Sequence, residues 1–166
     1  MERKQGTHGV RTVLWFNGRG QEAAAFYCGL IPDSRVEAVF VSDHGGPEGD
    51  MHFEVIDLRL AGVPYQLLDA GPMFPLSECV SVMVETPDQA ETDRLWEALA
   101  AEGGSHGPCG WLKDRYGLSW QVVPAEAARV MADPDRGRRE RALAAVMGMG
   151  KIDLAAVLAA ADGGRV

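Results

Sequence analysis

Two stretches of this chain repeat one another. Gly62-Val-Pro-Tyr-Gln-Leu-Leu68 and Gly117-Leu-Ser-Trp-Gln-Val-Val123 both read glycine, aliphatic, variable, aromatic, glutamine, aliphatic, aliphatic. Upstream of each lies a strand-turn-helix pattern, Val13 through Phe26-Tyr27 in one case and Val82 through Leu95-Trp96 in the other. Agreement of order at both ends of the unit implies two like modules rather than one continuously wound sheet.

The modules follow from local chemistry. Arg11 to Phe16 is apolar and β-branched and ends at Asn17-Gly18, which predicts a strand. Gln21 to Cys28 is dense in helix formers and stops at Gly29 and Pro32. Arg35 to Ser42 reads as a strand and Asp43 to Asp50 as a glycine-rich loop. Met51 to Leu60 and Val63 to Leu68 make a hairpin about Ala61-Gly62. In the second unit Glu78 to Val84 reads as a strand. Thr86 is placed as N-cap, Pro87 as first helical residue and Gln89 for a capping box. That helix runs to Leu99 and stops at Gly103-Gly104; two short strands fit within 104–116, and Leu118 to Val123 closes the unit. The expectation is an α+β fold of two βαβββ modules, 10–70 and 78–124, forming one domain over 10–124.

Beyond Pro124 the chain turns alanine-rich, predicting a helical extension over 125–163. Its segments are 125–132, one begun by Asp133-Pro134, and 151–161. Leu143, Val146 and Met147, then Leu154, Val157 and Leu158, recur at three- and four-residue steps, giving each helix one apolar face. Those faces pack either on the domain itself or on a dimer partner. Arg136, Arg138, Arg139 and Arg141 read as a solvated face paired with neighbouring acids. Met1 to Gly9 reads as a frayed end.

Composition removes several functions. With 166 residues, 46% hydrophobic and 24% charged, the chain fits a globular fold with a substantial core. A net charge of −8 opposes phosphate backbones and anionic lipid surfaces, so neither nucleic acid nor a membrane is an expected partner. Ile152 to Ala161, the longest apolar-rich stretch, contains Asp153 and is far too short to span a bilayer. Cys28, Cys79 and Cys109 show no CxxC spacing, and no basic-then-apolar leader opens the chain; a cytoplasmic setting with reduced thiols is expected. Dinucleotide and P-loop motifs are absent from the sequence. Asn17-Gly-Arg-Gly20 is the nearest approach to a glycine-rich methyl-donor turn, and the βαβββ order predicts a different topology from a doubly wound sheet.

The run Cys109-Gly-Trp-Leu-Lys-Asp-Arg-Tyr-Gly-Leu-Ser-Trp-Gln-Val-Val-Pro124, with Leu14-Trp-Phe-Asn-Gly18 and Asp93-Arg-Leu-Trp-Glu-Ala-Leu99, resembles the vicinal oxygen chelate superfamily. That group holds the glyoxalases, bleomycin-resistance proteins and extradiol dioxygenases. The resemblance is to its PhnB-like branch, labelled 3-demethylubiquinone 3-methyltransferase, and it extends over nearly the whole chain from about residue 10. It implies paired modules forming a cupped sheet around a pocket, assembled as a homodimer. It also implies four ligand positions in metal-using members, which fall here on Thr12, Gln66, Cys79 and Gln121. Neutral amides, one threonine and one isolated cysteine make a poor site for a divalent ion, so no metal and no cofactor are expected.

If Thr12 faces the cup, alternation brings Leu14 and Phe16 with it. Cys79, Ser81 and Met83 join from the fifth strand, and Ser119, Gln121 and Val123 from the eighth. That is an apolar pocket with a few convergent polar groups, suited to a small apolar or aromatic ligand. Cys109, with His106 and Lys113 near in sequence, is a candidate thiolate, and Trp111 a candidate pocket wall. Asp114-Arg115 reads as a turn pair, His44 and His52 match no metal spacing, and Phe74 is placed either at the pocket mouth or in a linker. The residues leave three readings open: a binding module, an enzyme using Gln66, Gln121 or Cys109, and methyl transfer as the branch label says. Glyoxalase-like or dioxygenase-like metal catalysis is a further alternative that only a bound ion would revive.

Overall fold

The computed structural model describes residues 9–46 and 49–164. Of the frayed end expected over Met1 to Gly9, residues 1–8 lie outside that range. The chain divides into two compact units, Met1–Leu76 and Ser77–Val166.

In the first unit β1 (Thr12–Phe16) leads into α1 (Gly20–Leu30), followed by β2 (Arg35–Gly46), β3 (Gly49–Leu60) and β4 (Val63–Asp69). The sheet order is β1-β4-β3-β2, with β1 parallel to β4 and the rest antiparallel. The second unit repeats this: β5 (Ser81–Thr86), α2 (Gln89–Ala100), β6 (Ser105–His106), β7 (Trp111–Lys113) and β8 (Ser119–Pro124), in the order β5-β8-β7-β6 with β5 parallel to β8. The duplicated glutamines therefore occupy equivalent places, Gln66 opposite Val13 and Gln121 opposite Met83.

The loop expected over 43–50 is instead the far end of a long hairpin, in which Gly45 pairs with Asp50 and Gly46 with Gly49. Two arms already in register carry the pairing outward through residues of poor strand propensity. Residues 47 and 48, and the His44 side chain, lie outside the described set.

α2 begins two residues later than its sequence suggests. Asp88 is the N-cap, accepting from the Glu91 amide at 2.8 Å. Thr86 stays in β5 and bonds Thr92 Oγ1 at 2.5 Å. The sheet claims Thr86 because its pairing with Pro124 completes the β5–β8 ladder.

The extension is three helices: α3 (Ala125–Met131), α4 (Arg136–Met147) and α5 (Leu154–Ala161). They pack on the second unit of their own chain. Val123, Ala127, Val130, Ala142, Val146, Ile152, Val157 and Ala161 form one buried cluster. In α4 the buried face is Ala142 and Val146, whereas Leu143 and Met147 are exposed. Small residues let α4 and α5 approach closely, and this places the larger side chains at the margin. Asp135, not Asp133, caps α4. The arginines pair as their sequence suggests: Arg136 with Glu140, and Arg138 with Asp133 and Asp162. Arg141 donates to the last carbonyls of α5, on Ala160 and Ala161, where a cation also complements the helix dipole. Among the described residues no helix is long and apolar enough to cross a membrane.

Candidate functional site: a cavity in the second unit

Each sheet has one face covered by its own helix; in the second unit the opposite face is partly covered as well, with Ser119 at 2% and Val123 at 4% exposure. In the first unit Leu14, Leu67 and Ile56 form one cross-strand row and are fully buried. This is the face of α1: a Cβ on Gly20 would meet Ile56 Cδ1 and Asp69 at 3.0 Å. Thr12, Leu14 and Phe16 share that face by alternation; Leu14 and Phe16 are core, whereas Thr12 at the start of β1 is exposed. Val13, Trp15 and Gln66 lie on the opposite face. There the Gln66 amide donates to Asp57 Oδ1 at 2.7 Å, and Arg11 Nη1 donates to the same oxygen at 2.7 Å. Burial pushes the Asp57 carboxyl up, but these hydrogen bonds and the Arg11 charge hold it below its usual 3.8. Trp15 Nε1 donates to the Gly71 carbonyl, and Phe74 stands edge-on to the Trp15 ring at 4.8 Å.

The glycine turn before α1 is already filled. Asp69, 7% exposed at the end of β4, accepts from the Gly18 amide at 2.5 Å and the Gly20 amide at 2.6 Å. A carboxylate from 49 residues downstream satisfies the helix start, whose own N-cap residue Arg19 makes no side-chain cap. A polar cavity of about 500 Å³ adjoins it, bordered by Asn17, Glu22, His52 and Glu54.

In the second unit Val82, Trp120, Val122 and Leu112 are buried on the α2 side. Gln121 lies on the opposite face and donates to Ser81 Oγ at 2.8 Å. Cys79 does not belong to the fifth strand: it precedes β5, is exposed, and contacts Ser77 Oγ at 2.6 Å. The ladder with β8 starts only at Ser81, leaving Cys79 without a strand partner.

This unit holds a cavity of about 530 Å³. Its apolar lining comes from Trp111, Leu112, Pro108, Cys109 and Met147, and its polar lining from Glu78, Ser105, His106, Lys113 and Ser119. His106 stacks on Trp96 of α2, ring planes 6° apart and centroids 4.7 Å apart, which fixes the imidazole at the cavity wall. Lys113 Nζ lies 2.5 Å from Glu78 Oε1, and that hydrogen bond holds the Glu78 carboxyl below its usual value. Ser119 is 2% exposed and its Oγ has no hydrogen-bond partner among the described residues. The Cys109 Sγ lies 3.6 Å from Met147 Sδ.

The loop carrying Cys109 is held by the C-terminal segment. The Cys109 amide donates to the Met149 carbonyl at 2.8 Å and the Gly110 amide to the Gly150 carbonyl at 2.7 Å. Gly110 has φ +81, and a Cβ there would lie 2.9 Å from both the Val122 carbonyl and Ile152 Cδ1; only glycine fits. Asp114, 2% exposed, accepts from the Tyr116 and Leu118 amides and from Trp120 Nε1, so it organises the β7–β8 turn.

Of the residues singled out in the sequence as pocket-lining, Cys109, Trp111 and Ser119 meet at this cavity. Ser81 and Gln121 share the sheet face opposite α2 but do not border it. Thr12, Leu14, Phe16 and Gln66 belong to the first unit, and Cys79 lies outside its strand. In the sequence Lys113 and His106 stand out only as neighbours of Cys109, and Glu78 and Met147 do not stand out as lining residues. Spacing brings Lys113 and Ser119 together only once the β7–β8 register is known.

The four positions implied for a metal do not fit one. Thr12 is on the helix-covered face, Cys79 is outside the strand, and both amides are neutral and hydrogen-bonded to neighbours. Among the described residues no three His, Cys, Asp or Glu side chains stand together as ligands would.

Comparison with known proteins agrees with this architecture. The family described as 3-demethylubiquinone-9 3-methyltransferase matches residues 8–123. The solved PhnB protein of Bacillus cereus, whose name also refers to that methyltransferase, is 26% identical, with TM-score 0.60 over 71% of this chain and 100% of its own. A Staphylococcus aureus protein aligns at 24% identity over 69% of this chain and 94% of its own, TM-score 0.28. An Arabidopsis thaliana gene product aligns at 16% identity over 72% and 99%, TM-score 0.45. No curated protein matches. With the family match spanning both βαβββ units, and the fold shared with the Bacillus protein, the chain belongs to the PhnB-like, 3-demethylubiquinone-9 3-methyltransferase family.

Proposed function

We propose that this protein binds a small apolar or aromatic molecule in the second-unit cavity, without a divalent metal. The observation that carries the reading is the cavity itself: about 530 Å³, walled by Trp111, Leu112, Pro108 and Met147, with a few polar groups. Sites for small molecules have this size and mixture. Neutral, engaged amides at Gln66 and Gln121 support the metal-free part. The three unpaired thiols support a reducing, cytoplasmic setting.

Titration of the purified protein with 2-naphthol, followed by NMR, tests this. The Trp111 indole N–H and Met147 methyl signals are expected to shift together and saturate. Absence of any shift at these two groups overturns the reading. A stoichiometric divalent ion in the purified protein overturns its metal-free part.

The family description favours a second reading, methyl transfer to a demethylated quinone. Against it, the Gly18 and Gly20 amides that a donor would use are taken by Asp69. The same titration with a sulfonium methyl donor separates the two, since the binding-module reading expects no shift around Asn17 to Gly20.

A further inference from the structure

One group in the cavity narrows what it takes. Ser119 is nine-tenths buried and more, borders the cavity, and its hydroxyl has no hydrogen-bond partner among the described residues. Burying a hydroxyl without a partner is costly, so folded proteins rarely leave one without a reason. The neighbouring hydroxyl, Ser81 Oγ, is already occupied by the Gln121 amide.

Register places a cation beside Ser119. Lys113 is its direct partner across the β7–β8 ladder, and both border the cavity. Directly opposed residues on antiparallel strands have Cβ atoms about 5 Å apart on one face. Two residues back along β7, Trp111 turns to the same face and supplies a flat apolar wall. Lys113 is ion-paired with Glu78 at 2.5 Å, and both side chains border the cavity.

We infer that the ligand is an aromatic molecule bearing an oxygen acceptor, a phenolic or carbonyl oxygen, which receives the Ser119 hydroxyl beside Lys113. This rests on the small-molecule reading of the cavity and specifies the chemical class. A neutral hydrogen bond made in a buried site is worth about threefold to tenfold in affinity.

Two probes of like shape test it, 2-naphthol and 2-methylnaphthalene, each titrated into the protein and into Ser119→Ala. The expected result is that the native protein prefers 2-naphthol by about threefold to tenfold, and that Ser119→Ala removes the preference while still binding 2-methylnaphthalene. Ser119→Ala should melt no lower than the native protein, because it deletes a group without a partner. A preference that survives in Ser119→Ala overturns the inference, as does equal binding of both probes by the native protein, the result expected if the hydroxyl merely holds a trapped water. Either outcome leaves the cavity a binding site. Failure of the native protein to bind either probe overturns the cavity reading and this inference with it.

Discussion

His52 on β3 shows how a single contact sets a charge. Its Nδ1 lies 2.6 Å from Asp43 Oδ1 and its Nε2 3.9 Å from Glu54. The hydrogen bond to Asp43 raises the ring above its usual 6.5; burial opposes this, and the charges of Asp43, Glu54 and Asp69 add to it. A raised folded value means the pair stabilises fully below pH 6.5 and its contribution is lost as pH rises through the raised value. Both partners are exposed, so the contribution is small. An NMR titration should place the His52 midpoint above 6.5, and Asp43→Asn should lower it; a native midpoint at or below 6.5 would refute the contact. Nothing in the local sequence announces this pair, because Asp43 and His52 meet only through the β2–β3 register. The sequence offers Cys109 as a candidate thiolate and Trp111 as a candidate pocket wall, and both border the cavity. Ser119 was legible only as facing the same way as Gln121; its missing partner is a fact of packing.

The two like units start their helices by different means. α2 carries a local cap in Asp88, whereas α1 borrows Asp69 from the end of β4. The residue equivalent to Asp69 in the second unit is Pro124, which has no side-chain acceptor to offer. Gln89, freed from any capping box, has another task. Its Nε2 donates to the Ile152 carbonyl at 3.1 Å and its Oε1 accepts from the Leu154 amide at 2.8 Å, pinning α5 to α2. Lys151 and Asp93 pair alongside at 2.9 Å. Gln89→Ala leaves two partly buried backbone groups unpaired, which costs about 1–2 kcal/mol. Hydrogen exchange is expected to rise at Leu154 to Ala161 while β5 and β8 stay protected. Unchanged exchange in α5 would show that the apolar cluster alone holds the helix.

At the scale of the whole molecule, the exposed edge of β2 predicts that two copies of the chain associate. β2 is an edge strand, and Val39, Phe40 and Val41 on it are exposed. Long edges with apolar side chains are pairing templates unless something covers them. Sedimentation should give twice the 17.9 kDa chain mass, and Phe40→Asp should shift the protein towards monomer. A native protein sedimenting at the single-chain mass would overturn the dimer.

The chain by itself determined the duplication, the βαβββ order of both units and the helical nature of the last segment. These are properties of periodicity and turn chemistry, which act over a few residues. It did not determine which face of each sheet is covered. Alternation sorts Thr12, Leu14 and Phe16 from Val13 and Trp15 with certainty, but both sets are apolar enough to be buried. Only the docking of α1 through Gly20 against Ile56 and Asp69 decides that Leu14 and Phe16 are core while Gln66 and its row stay open. The cavity likewise exists only where α4 and the Cys109 loop come to the edge of the second sheet, because side chains that far apart along the chain share a surface through packing alone.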